Sequence, residues 1–266
     1  MGFYKPHLPF NAPAKYWDLY DPATIEPPDF DHPPAGTPEI ALMNWGELRA
    51  YSGIPRKGDV DREMARDLIH GYRACVSYTD AQIGKVLGEL ERLGLRESTI
   101  VMLWGDHGWK LGDYGDWCKH SNFELDTRAP LIVSAPGMKA RGQSTPALVE
   151  FVDMYPTLVE LAGLPAPGHL QGRSFAPLLQ DPALPWKDAA LSQYPRGKSM
   201  GRSLRTDQYR FTQWRNEDGE VIARELYDHE ASTPLEVRNL AGDPAHAETV
   251  KRLEALLDTR WEESLQ

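Results

Sequence analysis

Cysteine is scarce: Cys75 and Cys118 are the only two in 266 residues. They fit no zinc-type spacing and cannot build a disulfide framework in a chain this long, so cysteine points neither to a metal centre nor to a compartment. Long apolar runs are missing as well, and no stretch approaches the roughly 18 apolar residues that a membrane-spanning helix needs. Positive charge is in deficit, with 29 Lys and Arg against 39 Asp and Glu and a formal net charge of -10. That excludes a general nucleic-acid or acidic-membrane binder, whose affinity rests on excess positive charge. An anionic small substrate stays open if a local site supplies the cation. The opening MGFYKPHLPF lacks the basic end and apolar centre of a signal peptide. The expectation is either a cytosolic protein or one whose export segment lies upstream. Internal repeats and low-complexity tracts are absent too.

What is present suffices for a real core: 41% of residues are hydrophobic, in a chain long enough for one large α/β domain or a large piece plus a small one. From Pro6 to Pro55, prolines and aromatics leave little room for helix and predict a long irregular loop system, of the kind that is usually functional. Between Asp61 and Leu93 the apolar residues Ile69, Tyr72, Val76, Ile83, Leu87 and Leu90 recur at helical spacing, and Gly94 supplies a stop. STIVMLW, ending at Trp104, and APLIVSAPG, from Ala129 to Gly137, read as short buried strands. Phe151 to Pro165 reads as a second helix, with Asp153 in its first turns and Gly163 at its end. Strand, helix and strand in alternation predict a largely parallel sheet covered by helices. Beyond Trp186 the pattern changes to polar and apolar alternation around Glu217-Asp218-Gly219, a hairpin signal, and a final helix spans about Pro244 to Trp261.

The chemistry-bearing residues gather after the first of these strands. Asp106 and His107 follow it directly, and in open α/β sheets the carboxyl ends of strands face the ligand crevice. A carboxylate beside an imidazole can hold a divalent cation, the carboxylate suiting hard ions such as calcium or magnesium. A hydrogen-bonded turn capped by the aspartate explains the pair equally well. Lys119 comes twelve positions later, across the Gly112-Asp113-Tyr114-Gly115 turn, and His7 sits in Lys5-Pro6-His7 near the start.

Taken in order, GFYKPHLPF, GDHGWKLGDYGDW, KHSNFE, RAPLIV and DMYPTLVELAGLP together closely resemble the sulfatase family, in its iduronate-2-sulfatase-like branch. The resemblance runs from Gly2 nearly to the C-terminus, and Asp-His-Gly-Trp and Lys-Pro-His are its most specific segments. It implies an alkaline-phosphatase-like α/β fold, a mixed sheet covered by helices, with a smaller C-terminal antiparallel sheet plus helix. The expected division is residues 1–185 for the α/β part and 186–266 for the small part. It also implies a sulfuric ester hydrolase acting on sulfated sugars or glycosaminoglycan-type substrates, in a family whose members are periplasmic, secreted or lysosomal. By resemblance, Asp106 and His107 are calcium ligands, His7 and Lys119 contact the sulfate, and Trp109 and His120 touch the sugar. The physics agrees: the leaving oxygen of a sulfate ester gains negative charge as the S–O bond breaks, and a cation, a lysine and a protonatable imidazole answer that charge. A histidine with a pKa near ~6.5 can donate a proton to the leaving alcohol.

The chain departs from the family pattern in the residues the family carries upstream of Lys-Pro-His. The family's nucleophile is a formylglycine made within a Cys/Ser-x-Pro/Ala-x-Arg motif upstream of Lys-Pro-His. SAPGM at Ser134 has Met138 where the arginine belongs, and CVSYT at Cys75 and CKHSN at Cys118 lack both proline and arginine. The upstream acidic pair, and a second lysine and histidine, also have no counterpart. The expectation is therefore a C-terminal half to two-thirds of a sulfatase, inactive alone, whose partners are a sulfated carbohydrate and the N-terminal half of the same protein. Two alternatives stand beside it: a noncatalytic relic or sulfated-glycan binding module, and a phosphodiesterase or phosphonate hydrolase of the same superfamily.

Overall fold

The computed structural model describes residues 1–43, 46–230 and 235–264. In chain order the elements are α1 (Ala14–Trp17), α2 (Gly46–Arg49), α3 (Arg62–Arg92), β1 (Val101–Trp104), β2 (Lys110–Leu111), β3 (Trp117–Cys118), α4 (Glu124–Thr127), β4 (Leu131–Ser134) and α5 (Met154–Leu161). They are followed by β5 (Ala190–Arg196), β6 (Ser199–Arg205), β7 (Tyr209–Arg215), β8 (Val221–Asp228) and α6 (Ala247–Glu263). The chain divides into two compact units. One comprises Met1–Pro33, Met43–Glu97 and Trp109–Lys119; the other comprises Pro34–Leu42, Ser98–Gly108 and His120–Gln266.

The first unit is organised on α3. Asp61 caps its start by accepting from the Met64 amide at 2.8 Å. At its end Gly94 takes φ 67°, and the Gly94 and Leu95 amides donate to the carbonyls of Glu91 and Leu90 at 3.0 and 2.9 Å. That is a Schellman closure, which a residue with a Cβ adopts only under strain. The first half of the helix supplies the buried face through Ala65, Ile69, Ala74 and Cys75, whereas Val76, expected on the apolar stripe, is exposed. Ala65 and Ile69 pack with Leu8, Ile25, Leu48, Trp117 and Cys118. The proline-rich segment before α3 has little regular structure beyond single turns and is fastened to the helix by side chains. Arg66 donates to the Ile25 carbonyl at 3.0 Å, and the Tyr20 and Ser77 hydroxyls lie 2.6 Å apart.

In the second unit β1 pairs with β4 in antiparallel register, Val101 opposite Ser134 and Trp104 opposite Leu131. The alternation of strand and helix predicted parallel pairing; among the described residues the only parallel contact is a single bridge between Ala35 and Arg238. The reason is the connection: a parallel return needs a crossover, usually helical, and the segment from β1 to β4 is spent on the β2–β3 hairpin, its α-helix being the one-turn α4. The helix expected from Phe151 begins as a 3₁₀ turn, Phe151–Asp153, and continues as α5.

The C-terminal part follows the expectation closely. Strands β5 to β8 form a four-stranded antiparallel meander, with the hairpin turn falling at Glu217-Asp218-Gly219 between β7 and β8. One sheet face presents Leu204, Phe211 and Leu226 to Leu253 and Leu257 of α6, all 0% exposed. The opposite face carries Ser203, Arg210, Thr212, Glu225 and Tyr227, which are buried as well.

Candidate active site

In the first unit, His7 and Lys119 are brought together from positions 112 residues apart, Lys119 Nζ lying 2.7 Å from His7 Nε2. His7 Nδ1 lies 2.9 Å from the Leu8 carbonyl. A carbonyl only accepts, so Nδ1 carries the proton and Nε2 is the atom that faces the lysine. Lys119 is delivered by the β2–β3 hairpin, in which Lys110 pairs with Cys118 and Leu111 with Trp117. The hairpin is fixed from inside by an ion pair between Lys110 Nζ and Asp116 Oδ2 at 2.8 Å, with Lys110 fully buried. A fixed turn of this kind holds the residue that leaves it in one place.

A third residue joins the pair. Glu47 Oε1 lies 2.8 Å from His7 Nε2 and 2.7 Å from Lys119 Nζ. Glu47 belongs to α2, within the stretch expected to be irregular loop, and no local pattern in the sequence marks it. Trp109 lies beside this trio, its ring 5.4 Å from His7 in an edge-on contact and 4.9 Å beneath Lys119 Nζ. Phe10 and Tyr72 complete an aromatic cluster around the half-buried indole.

Neither cysteine is a candidate nucleophile. Burial first, and then the Glu47 charge, push the Cys118 thiol up to about 12, against the opposing pull of Lys119. Burial also raises Cys75, although Lys5 opposes the rise. Thiols in that state stay protonated and unreactive at neutral pH.

In the second unit, Asp106 and His107 emerge directly after β1. The turn is clamped: the Gly105 amide donates to the Pro130 carbonyl at 3.0 Å and the Gly108 amide to the Asp126 carbonyl at 2.7 Å. A Cβ on Gly108 would stand 1.9 Å from the Leu125 carbonyl oxygen, so only glycine permits this approach. Asp106 is 86% exposed, and its Oδ1 lies 3.7 Å from His107 Nε2. His107 Nδ1 lies 2.7 Å from the Gly108 carbonyl, which makes Nδ1 a donor and leaves Nε2, on the Asp106 side, as the nitrogen that offers a lone pair in the neutral ring. A carboxylate oxygen and an imidazole lone pair at that spacing fit two positions around one divalent cation, short of the roughly six to eight that calcium takes.

His120, the other residue expected to touch a sugar, has a left-handed backbone with φ 94°. Its carbonyl accepts from Arg196, its ring lies 5.8 Å from Tyr194, and the Arg196 guanidinium sits 4.6 Å over the Tyr194 ring.

A buried charge network lies beneath the following segment, and no local sequence pattern marks it. Among the described residues, the ligand-type atoms of Glu124, His229 and Glu236 all lie within 4.8 Å of one another. Arginine already serves this group: Arg205 Nε and an Arg210 terminal nitrogen reach Glu124 at 3.0 and 2.5 Å, and Arg210 Nε lies 3.4 Å from Glu236. Burial alone would raise the Glu124 carboxyl, but Arg210, with help from Arg205 and His229, holds it at about 2. Carboxylates neutralised by guanidinium groups favour an ion-pair network here over a cation site. Its effect is anchorage. The Glu124 amide donates to Glu236 Oε1 at 2.8 Å and Asn122 Nδ2 donates to the Gly201 carbonyl at 3.1 Å, which fixes the segment following His120 onto the polar face of the sheet.

Comparison with known proteins bears on this arrangement. The family profile described as Sulfatase matches residues 1–164, and the profile described as N-sulphoglucosamine sulphohydrolase, C-terminal, matches residues 112–263. Mouse (Mus musculus) iduronate 2-sulfatase is 31% identical, over 92% of this chain and 58% of its own length. A solved structure described as a complex with its substrate D-glucosamine-2-N,6-O-disulfate is 28% identical with a TM-score of 0.69, covering 76% of this chain and 42% of that one. The phosphonate monoester hydrolase of Silicibacter pomeroyi superposes with a TM-score of 0.77 at 26% identity, over 97% of this chain and 54% of that one. The chain thus spans about half the length of the relatives it matches. These likenesses bear out the expected alkaline-phosphatase-like α/β fold with its C-terminal antiparallel sheet and helix.

Proposed function

Because the chain belongs to the sulfatase family, we propose that it forms part of a sulfuric ester hydrolase acting on sulfated sugars of the glycosaminoglycan type. In this reading His7 and Lys119 hold the sulfate, Asp106 and His107 are two of the calcium ligands, and Trp109 and His120 meet the sugar. The observation that carries it is the convergence of His7 Nε2 and Lys119 Nζ to 2.7 Å. Once His7 is protonated at Nε2, the two nitrogens can both donate to one anionic oxygen, which makes an anion site. Support for a sulfated sugar comes from the relatives named above, one of which is described with a disulfated glucosamine as its substrate.

The residues' own chemistry follows. Lys119 donates N–H bonds to sulfate oxygens and answers the charge that grows as the S–O bond lengthens. His7, once protonated at Nε2, is placed to give that proton to the leaving sugar oxygen. Calcium, when bound, neutralises sulfate charge as a Lewis acid. Among these 266 residues no segment matches the nucleophile motif, and both thiols stay protonated. We therefore place the nucleophile and the other calcium ligands in an upstream portion of the same protein. The 266 residues alone bind substrate without turning it over. The division into an α/β part, 1–185, and a small C-terminal part, 186–266, belongs to the same proposal.

Calorimetric titration of the chain with a sulfated disaccharide in millimolar calcium tests this reading. Saturable heat is expected, weakened about 10- to 100-fold in Lys119→Ala, the equivalent of one charge-assisted hydrogen bond. Calcium dependence should be lost in Asp106→Ala. Binding unchanged in Lys119→Ala would overturn the sulfate assignment, and aryl-sulfate hydrolysis by the chain that disappears in Lys119→Ala would overturn the claim of inactivity. The structural likeness to a phosphonate monoester hydrolase favours a second reading, which the same titration with a phosphonate monoester addresses.

A further inference from the structure

The trio at His7 contains a feature that sulfate binding does not require. A site built from a lysine and a histidine for an anion here already holds an anion of the protein's own, with Glu47 Oε1 at 2.8 Å from His7 Nε2 and 2.7 Å from Lys119 Nζ. We propose that Glu47 is an internal competitor for the anion site: its carboxylate takes the place of a sulfate oxygen between His7 and Lys119, and an incoming sulfate must displace it. This rests on the reading of His7 and Lys119 as the sulfate contacts.

Three observations carry it. First, the chemistry matches. A carboxylate oxygen and a sulfate oxygen are both anionic acceptors, and both satisfy an ammonium and, with His7 protonated at Nε2, an imidazolium N–H at the same distances.

Second, the trio is reached by solvent. The side chains of His7, Glu47 and Lys119 are 28%, 23% and 12% exposed, whereas Lys110 and Asp116, the purely structural pair of the same hairpin, are 0% and 8% exposed. A ligand can therefore reach these three groups.

Third, the backbone that carries Glu47 is pinned while its side chain is not sealed in. Leu48 is 1% exposed in the core of the unit. Arg49 donates to the carbonyls of Pro55 and Gly58 at 2.7 and 2.9 Å, and Arg56 donates to the Arg49 carbonyl at 2.8 Å. Displacement then needs a rotation of one side chain and no movement of α2.

The sign of the effect does not depend on how far Glu47 moves. If it stays, a negative oxygen faces the incoming sulfate at close range; if it leaves, its contacts with His7 and Lys119 are lost before the sulfate gains its own. Either way the site takes anions more weakly than the two donors alone would.

The test is titration of the chain with inorganic sulfate, comparing wild type with Glu47→Gln, which keeps the shape, and Glu47→Ala, which removes the side chain. Both variants should bind sulfate about tenfold tighter or more at low ionic strength, with the gain shrinking as an inert chloride salt is added. A merely structural role for Glu47 predicts the reverse order of affinities and no such salt dependence. Sulfate affinity unchanged or weakened in both variants overturns the competitor role. Absence of sulfate binding in every variant, Glu47→Ala included, overturns the anion site itself and the competitor with it. Tight binding that is lost in Glu47→Ala combined with Lys119→Ala places the gain at this site.

Discussion

Glu225 offers the most quantitative test of the buried polar face. Its carboxyl is 2% exposed, accepting from Trp214 Nε1 and from the Tyr227 hydroxyl, each at 2.8 Å. Burial pushes it up to about 7, with Glu236 adding to the rise while the Trp214 and Tyr227 bonds and Arg210 oppose it. The surroundings accept either form, because the Tyr227 hydroxyl also lies 2.9 Å from Thr37 Oγ1. It can turn its proton to Thr37 and accept one from a neutral Glu225. With the folded value at about 7 and the unfolded one near 4.5, the native protein holds a proton that the unfolded chain has released. The contribution is complete below 4.5 and is lost as pH rises through 7. Between pH 5 and 8 it amounts to about 2–3 kcal/mol, at ~1.4 kcal/mol per tenfold change in the proton equilibrium. Glu225→Gln keeps both hydrogen bonds and does not titrate. Urea unfolding of both proteins at pH 5, 6, 7 and 8 should show the variant gaining about 2–3 kcal/mol on the wild type across that range. A difference that stays flat with pH would refute the reasoning, because Glu225 would then ionise like an exposed carboxylate.

The opposite sign is expected at Glu124, held at about 2 in the folded protein: its stabilisation is present above pH 4.5 and disappears as pH falls towards 2, so Glu124→Gln should flatten the acid limb of the stability profile. Arg210→Leu strips the guanidinium from Glu124 and Glu236 and should cost about 3–5 kcal/mol by denaturant unfolding, the penalty of an uncompensated buried charge. Gly108→Ala forces a Cβ to within 1.9 Å of the Leu125 carbonyl; the Asp106–His107 turn must shift, and calcium titration should show weakened binding together with a lowered melting temperature. Leu257→Ala opens a cavity between α6 and the sheet, where Leu257 is 0% exposed, and should cost about 2–5 kcal/mol by the same unfolding assay.

Periodicity made the regular elements legible. Helical spacing with Asp61 before it and Gly94 after it located α3, since caps and periodic apolar positions act within a few residues of chain. Alternation around Glu217-Asp218-Gly219 located the β7–β8 hairpin for the same reason. Strand direction was not legible in that way: β1 and β4 read as members of a parallel sheet, and a connection without a long crossover helix leaves them antiparallel. Polar alternation misled in another respect. Arg210, Thr212 and Glu225 occupy the positions that a strand with one wet face gives to solvent, yet they are 3%, 2% and 2% exposed. Their partners Glu124 and Glu236 come from distant segments, so no local window contains the pairing.

By itself, the sequence determined the elements, the turn that carries Asp106 and His107, and the motifs by which the chain resembles its family, because each of these is written in neighbouring residues. Only the tertiary structure decided that His7 and Lys119 meet across 112 positions, that Glu47 sits between them, and that a buried charge network lies under one sheet face. Those are contacts between residues remote in the chain. They depend on which surfaces the folded backbone brings within hydrogen-bond reach, and a linear pattern carries no distance between its ends.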